Sequence, residues 1–224
     1  MMTNLFSTFD TSTNTILDMN WMSSMLNLLF LPMLYWMLSS RLTLMYKLIF
    51  INLYNEFKII LNKKFNFFNL LIYISIFTLI FFSNFIGLFP YIFTSSSHLI
   101  FSLSFSLPMW LSLMFFGWLM NTNHMFSHLI PQGTPIFLMP FMVLIETISN
   151  LIRPMTLAIR LTANMIAGHL LLTLMSQSAS LMNFYLMSLI ILTQMLLLTL
   201  EFSVAIIQSY VFSILGILYL NETN

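Results

Sequence analysis

Between residues 65 and 145 the chain carries no Asp, Glu, Lys or Arg. Soluble domains place a charged residue at about every fourth position, so a charge-free stretch of this length has no ordinary water-facing surface. Two windows inside it, "FNLLIYISIFTLIFFSNFIGLF" (68 to 89) and "HLIFSLSFSLPMWLSLMFFGWLM" (98 to 120), reach the ~20 apolar residues that cross a hydrocarbon core of ~30 Å. The turn "PYIFTSSS" joins them. Residues 67–121 are therefore predicted to form a transmembrane hairpin. The whole chain agrees, with 59% hydrophobic and 6% charged residues and a mean hydropathy of +0.95. An all-α integral membrane protein is expected, a single membrane domain over residues 1–224.

Residues 21–38, "WMSSMLNLLFLPMLYWML", make a first span with Trp21, Tyr35 and Trp36 near its ends, where aromatic rings favour the interface. From Arg41 to Lys64 the pattern changes to five basic residues and one acid, Glu56. Arg41, Asn52, Asn55, Glu56, Asn62 and Lys63 share one helical face, with Lys47 and Lys58 at its edge. Residues 40–66 thus read as an amphipathic interfacial helix. Its basic excess places it on the inner side and the N-terminus outside. The N-terminal stretch lacks the basic flank of a secretory signal and the arginines of a transit peptide.

The last third contains two apolar runs, 136 to 176 and 184 to 220, each longer than a perpendicular span needs. Either each breaks in two, or each is one long tilted helix. Apart from Pro140 at the start of the first run, Pro154 is the only proline inside them and "SQSASLMN" the only convincing turn, so two long antiparallel helices over 135–220 are expected. That makes about five crossings and an inner C-terminus.

The polar residues in this region demand a reason. Arg160 stands in "LAIRLTANMIAGHL" with no acid within ten residues, and an ionisable group at membrane depth costs ~2.5 kcal/mol or more. An arginine near a helix end could snorkel to the headgroups, but Arg160 is midway along its run. Glu146, Arg153, Arg160 and Asn164 fall on one face; Glu146 and Arg153 could equally be a structural i,i+7 ion pair. Ala158, Ala163, Ala167 and Gly168 would let another helix approach closely. His169 lies roughly opposite Arg160 and suits a proton relay, although a lone histidine is often simply hydrogen-bonded in a core. In the final helix Gln194, Glu201 and Gln208 recur every seven residues on one stripe. Antiparallel pairing sets Arg160 level with Gln208, and His169 level with Glu201. Two proton-accessible zones would then be separated by a permanent cation.

The motif "LAIRLTANMIAGHLL", with "PFMVLIETISNLIRP" before it and "LEFSVAIIQSYVF" after it, resembles subunit a of the rotary F-type ATP synthase, above all in its insect mitochondrial form. The likeness runs over essentially the whole chain. It implies that Arg160 is the family's essential arginine, that Asn164 and Gln208 match its asparagine and last-helix glutamine, and that Glu146 matches the acidic position of the matrix-side channel. Bacterial relatives carry an acid at the position of His169 and a histidine at that of Glu201; the mitochondrial order is the reverse, as here. Arg153 and Gln194 are supporting candidates. The resemblance further implies protons as the transported ion, a c-subunit ring and other Fo stator subunits as partners, and a multi-pass position in the mitochondrial inner membrane, with the N-terminus in the intermembrane space and the C-terminus in the matrix.

The chain has no phosphate loop or nucleophile constellation and is not expected to be an enzyme on its own. It has no cysteine, no basic surface suited to nucleic acid, and no expected metal or cofactor. His124 and His128 have ligand-like i,i+4 spacing but no acid nearby, and their setting reads as a surface loop. His98 is expected to cap a helix. A voltage sensor needs more arginines at three-residue spacing, and a secondary transporter needs inverted repeats.

Overall fold

The computed structural model describes residues 5–12, 19–32, 38–61, 67–130, 135–179 and 183–223. Among them there are six α-helices and no strand: α1 (Arg41–Ile60), α2 (Phe67–Gly87), α3 (Leu99–Met120), α4 (Thr122–His128), α5 (Met139–Ala179) and α6 (Phe184–Thr223). Tyr35, Trp36, Asn62, Lys63, Lys64, Pro131, Gly133 and residues 180–182 of the expected last turn lie outside the described residues.

The two apolar runs of the last third are not broken. α5 continues through Pro154 for 41 residues, and α6 runs for 40. At 1.5 Å per residue each is about 60 Å long, twice the hydrocarbon thickness, so each must tilt strongly to remain in a bilayer. Among the described residues four helical stretches are long and apolar enough to cross a membrane: Phe68–Gly87, Leu99–Met120, Ile136–Ala179 and Tyr185–Thr223. The first expected span is not among them. Its described part forms a 3-10 helix, Met19–Phe30, which is held to the α2–α3 turn by the Ser23 hydroxyl donating to the Phe93 carbonyl at 2.9 Å.

Periodicity decides which faces meet. α5 buries Pro154, Leu157, Ala158, Leu161, Thr162 and Met165, and α6 buries Ala205, Ser209, Phe212, Ser213, Ile217 and Leu220. Both sets recur every three or four residues, one stripe per helix. α2 fits between these stripes: Ile76 and Ile80 cluster with Leu157, Leu161 and Phe212, while Leu70 and Tyr73 cluster with Phe57, Ile217 and Leu220. Small α6 side chains on the stripe allow the close approach that membrane helices use. At Gly216 an added methyl would meet the Tyr73 ring, 3.2 Å from Cδ1. Because a buried ring cannot swing aside, Gly216→Ala should destabilise the helix packing by about 1–3 kcal/mol. A thermal midpoint of the purified chain unchanged by this substitution would contradict the packing described.

α1 starts from Ser40, whose hydroxyl accepts the Thr43 N–H. It leans along α2, Tyr46 meeting Phe82 near one end and Phe57 joining the Leu70 cluster near the other. Leu42, Leu48, Ile49 and Ile59 are exposed, as an amphipathic helix in contact with lipid requires. Glu56 on its polar face accepts a hydrogen bond from Tyr210 of α6 at 3.0 Å. Two local expectations change. The loop holding His124 and His128 is the short helix α4, which restarts after the non-helical Asn121 that ends α3. His98 occupies the N-cap position of α3, yet its side chain makes no capping bond; it packs between Trp21 and Phe93, with ring centroids 5.4 and 5.2 Å away.

Candidate functional site

α5 and α6 cross where α5 has no side chain. A methyl group at Gly168 would lie 2.8 Å from Glu201 Cδ, so the carboxyl group of Glu201 rests directly on the α5 backbone beside His169. The expected pairing of His169 with Glu201 is thus met to within one residue. The His169 ring lies against the Gly87 backbone at the end of α2, and the Phe9 ring stands edge-on to it at 6.5 Å. His169 Nε2 and Glu201 Oε2 are both buried and find no hydrogen-bond partner among the described residues. An unmet buried polar atom costs about 1–3 kcal/mol, so two of them side by side mark a place built to exchange hydrogen bonds with something mobile.

Arg160 is elsewhere. It is exposed on the outer face of α5, in line with exposed Ala163 and Ala167 and half-buried Asn164. Among the described residues it makes no hydrogen bond or ion pair, and Gln208, half-buried on α6, makes no hydrogen bond to it. The register that sets Arg160 level with Gln208 thus brings no bond between them among the described residues. Gln194 is half-buried two helical turns above Glu201 and also makes no side-chain hydrogen bond among the described residues. Nine residues separate Arg160 from His169, about 13 Å along the axis, and the two project to different faces.

A third group gathers where α5 begins and α6 ends. Arg153 pairs with Glu146 at 3.5 Å and with Glu222 at 2.6 Å, and its guanidinium lies over the Tyr219 ring, 5.1 Å from the centroid. The i,i+7 ion pair is real, and Arg153 is neutralised by two acids rather than one. Glu222 was absent from the sequence reasoning, although the signal was present. Twenty-one residues down each helix from the Gly168–Glu201 contact, the antiparallel register brings position 222 level with 147, beside Glu146.

His124 and His128 face each other on exposed α4, Nε2 to Nε2 at 3.2 Å. Among the described residues no three His, Cys, Asp or Glu side chains gather as metal ligands. Among the described residues the site therefore comprises a half-buried acid and imidazole at neighbouring positions, an exposed cation without an ion pair, and a paired cluster at the opposite end.

Known proteins share this arrangement of sequence. Residues 17–221 match the family model described as "ATP synthase A chain". The chain is 58% identical over 223 residues to "ATP synthase subunit a" of Locusta migratoria, covering 99% of each. It is 54% identical over 224 residues to that of Drosophila melanogaster and 55% identical over 226 residues to that of Anopheles gambiae, covering the whole of both chains in each case. With the full length matched and its membrane helices in place, the chain belongs to the ATP synthase A chain family.

Proposed function

We propose that the chain is the proton-conducting stator subunit of a mitochondrial ATP synthase. It provides two offset half-channels to a carboxylate carried on a neighbouring c-subunit ring, and other Fo stator subunits hold it in place in the inner membrane. One half-channel runs from the intermembrane space past His169, Glu201 and Asn164. The other runs to the matrix past Glu146, with Arg153 paired beside it. In this orientation the Lys58 end of α1, which packs beside Leu70, Ile217 and Leu220, lies on the matrix side, the N-terminus faces the intermembrane space and the C-terminus the matrix.

The observation that carries this reading is the isolation of Arg160. A cation at membrane depth costs at least ~2.5 kcal/mol, and α5 gives it no acid. A carboxylate supplied by another subunit would remove that cost, and the small Ala163 and Ala167 beside it leave room for a partner helix. A proton arriving through Glu201 neutralises the ring carboxylate, which can then enter lipid. After nearly a full turn the proton leaves on the matrix side, and Arg160 attracts the restored anion. Each proton crossing 100 mV supplies ~2.3 kcal/mol. Gln208 and Gln194 line the α6 side of the path.

Gly168→Ala tests the outer half-channel. The new methyl displaces the flexible Glu201 carboxyl rather than a rigid ring, so helix packing survives while the proton-handling group moves by about 1 Å. ATP-driven acidification of vesicles carrying the assembled complex should fall about tenfold, given the sensitivity of reacting groups to such misplacement. Assembled complexes that pump at the unaltered rate would remove Glu201 from the path.

A further inference from the structure

A surface loop would leave His124 and His128 apart; α4 brings them together, outside the proton path described above. They stand one turn apart on one exposed face of the helix, with their Nε2 atoms 3.2 Å from each other. The ring centroids are 4.4 Å apart and the planes cross at 64°, so the rings meet at their nitrogen edges instead of stacking. That separation has a definite chemical meaning. Two imidazole nitrogens bound to one tetrahedral metal ion at ~2.05 Å stand about 3.3 Å apart, and two at adjacent corners of a square about 2.9 Å. The observed distance lies between these values.

The opposite face of α4 is fixed, so the pair is not carried on a loose turn. Met125 packs on Gly117 of α3, where an added methyl would meet its sulfur at 3.0 Å, and Phe126 stands edge-on to Trp118 at 5.0 Å. The Ser127 hydroxyl donates to the His124 carbonyl at 2.8 Å. Asn121, just before α4, donates its side-chain amide to the Thr223 carbonyl at 3.2 Å. This ties the start of α4 to the end of α6, next to Glu222, where Arg153 faces two acids, Glu146 and Glu222. The negative excess of that cluster favours a cation nearby. No Lys or Arg occurs between Lys64 and Arg153, so α3 and α4 set no fixed positive charge against it.

We propose that His124 and His128 form a two-point chelate for an exchangeable divalent transition metal ion of the Zn²⁺, Cu²⁺ or Ni²⁺ class, with water completing its coordination. Imidazole nitrogen suits these ions, whereas Mg²⁺ and Ca²⁺ take oxygen ligands and are not held. Between themselves the rings share one N–H···N hydrogen bond at this distance. Binding moves that proton from Nε2 to Nδ1 of the same ring, so that both Nε2 lone pairs bind the metal and no net proton is lost. Among the described residues no further His, Cys, Asp or Glu joins the pair, so the ion exchanges with its surroundings and is not a permanent part of the fold. A helix of seven residues is marginal by itself, and a metal clip between its turns holds it closed. The inference does not depend on which residues carry protons.

The test titrates the purified full-length chain, without a histidine tag, with Zn²⁺ against a chromophoric chelator. His124→Ala and His128→Ala should each weaken binding by about tenfold or more, because either change turns a chelate into a single-point contact. Both side chains are exposed, so their loss leaves the helix packing in place. Asn123→His combined with His124→Asn keeps the composition but turns one ring by about 100°, and it should weaken binding as much as alanine does. Hydrogen exchange gives a second readout. With Zn²⁺ at about 100 times its dissociation constant, α4 should open about a hundredfold less often and its amides exchange correspondingly more slowly, while Mg²⁺ at the same concentration changes nothing. Zn²⁺ affinities that agree within about threefold across all these chains, or α4 exchange indifferent to Zn²⁺, would overturn the proposal and leave His124 and His128 as a hydrogen-bonded pair.

Discussion

Arg160→Ala should abolish ATP-driven proton pumping and raise passive leak about thirtyfold, with the complex still assembled. Assembly should survive because Arg160 is exposed and makes no bond within the described chain, and alanine is the best helix former at such a position. The leak follows from electrostatics. At an effective dielectric constant of about 20, a unit charge roughly 8 Å from an incoming proton raises its energy by about 2 kcal/mol, a barrier of about thirtyfold. The loss of pumping follows from the missing attraction for a deprotonated ring carboxylate. Arg160→Lys keeps the charge but loses the planar fork that binds carboxylates bidentately, so it should restore the leak barrier and only part of the pumping. Passive flux and ATP-driven acidification in the same vesicles separate these effects, and an alanine variant that pumps normally would return Arg160 to a snorkelling role.

How far the fold could be read from the sequence depends on how far the bilayer constrains it. α2, α3, α5 and α6 were legible because a lipid-facing backbone must satisfy its own hydrogen bonds, which leaves apolar runs of this length only the helix. The length of the runs after residue 136 excluded the usual perpendicular span, and the absence of breakers other than Pro154 beyond the first turn, where Pro140 is tolerated, pointed to unbroken helices. Near the N-terminus the same reasoning had less hold. Residues 19 to 30 include Asn20, Ser23, Ser24 and Asn27, whose side chains compete for backbone hydrogen bonds, and this stretch takes a 3-10 form against the α2–α3 turn. α4 was missed because Asn121, Asn123 and Pro131 read as loop residues, although only the last breaks a helix.

The candidate residues were legible because each is costly in lipid and so stands out. Which of them touch was legible only in part. Period and register placed His169 with Glu201, and the contact through Gly168 agrees. Glu222 was overlooked because an acid near a chain end carries little cost by itself; its importance comes from Arg153, across the helix pair. Asn84 of α2 and Ser96 of the α2–α3 turn, both fully buried, could not be singled out, since buried and lipid-facing positions look alike in a segment that is apolar all round. Only tertiary packing shows that their polar atoms are unmet.

Glu201→Gln should lower ATP-driven pumping about a hundredfold, the lower range of what a positioned acid or base contributes. Glutamine keeps the size and most hydrogen-bonding capacity of the carboxyl group resting on Gly168, so the α5–α6 crossing should persist. What it loses is the ability to gain and release a proton. Under the proposed function Arg160 would still separate the two paths, so passive leak should stay at the unaltered level, in contrast with the raised leak expected of Arg160→Ala. Glu201→Asp retains a titratable carboxyl but withdraws it by one methylene from His169 and the Gly168 backbone, so its rate should fall between those of glutamine and glutamate. The ordering glutamate, aspartate, glutamine at constant leak is what a proton relay requires. Equal pumping by all three would make Glu201 a packing residue, and its unmet Oε2 would then need another explanation.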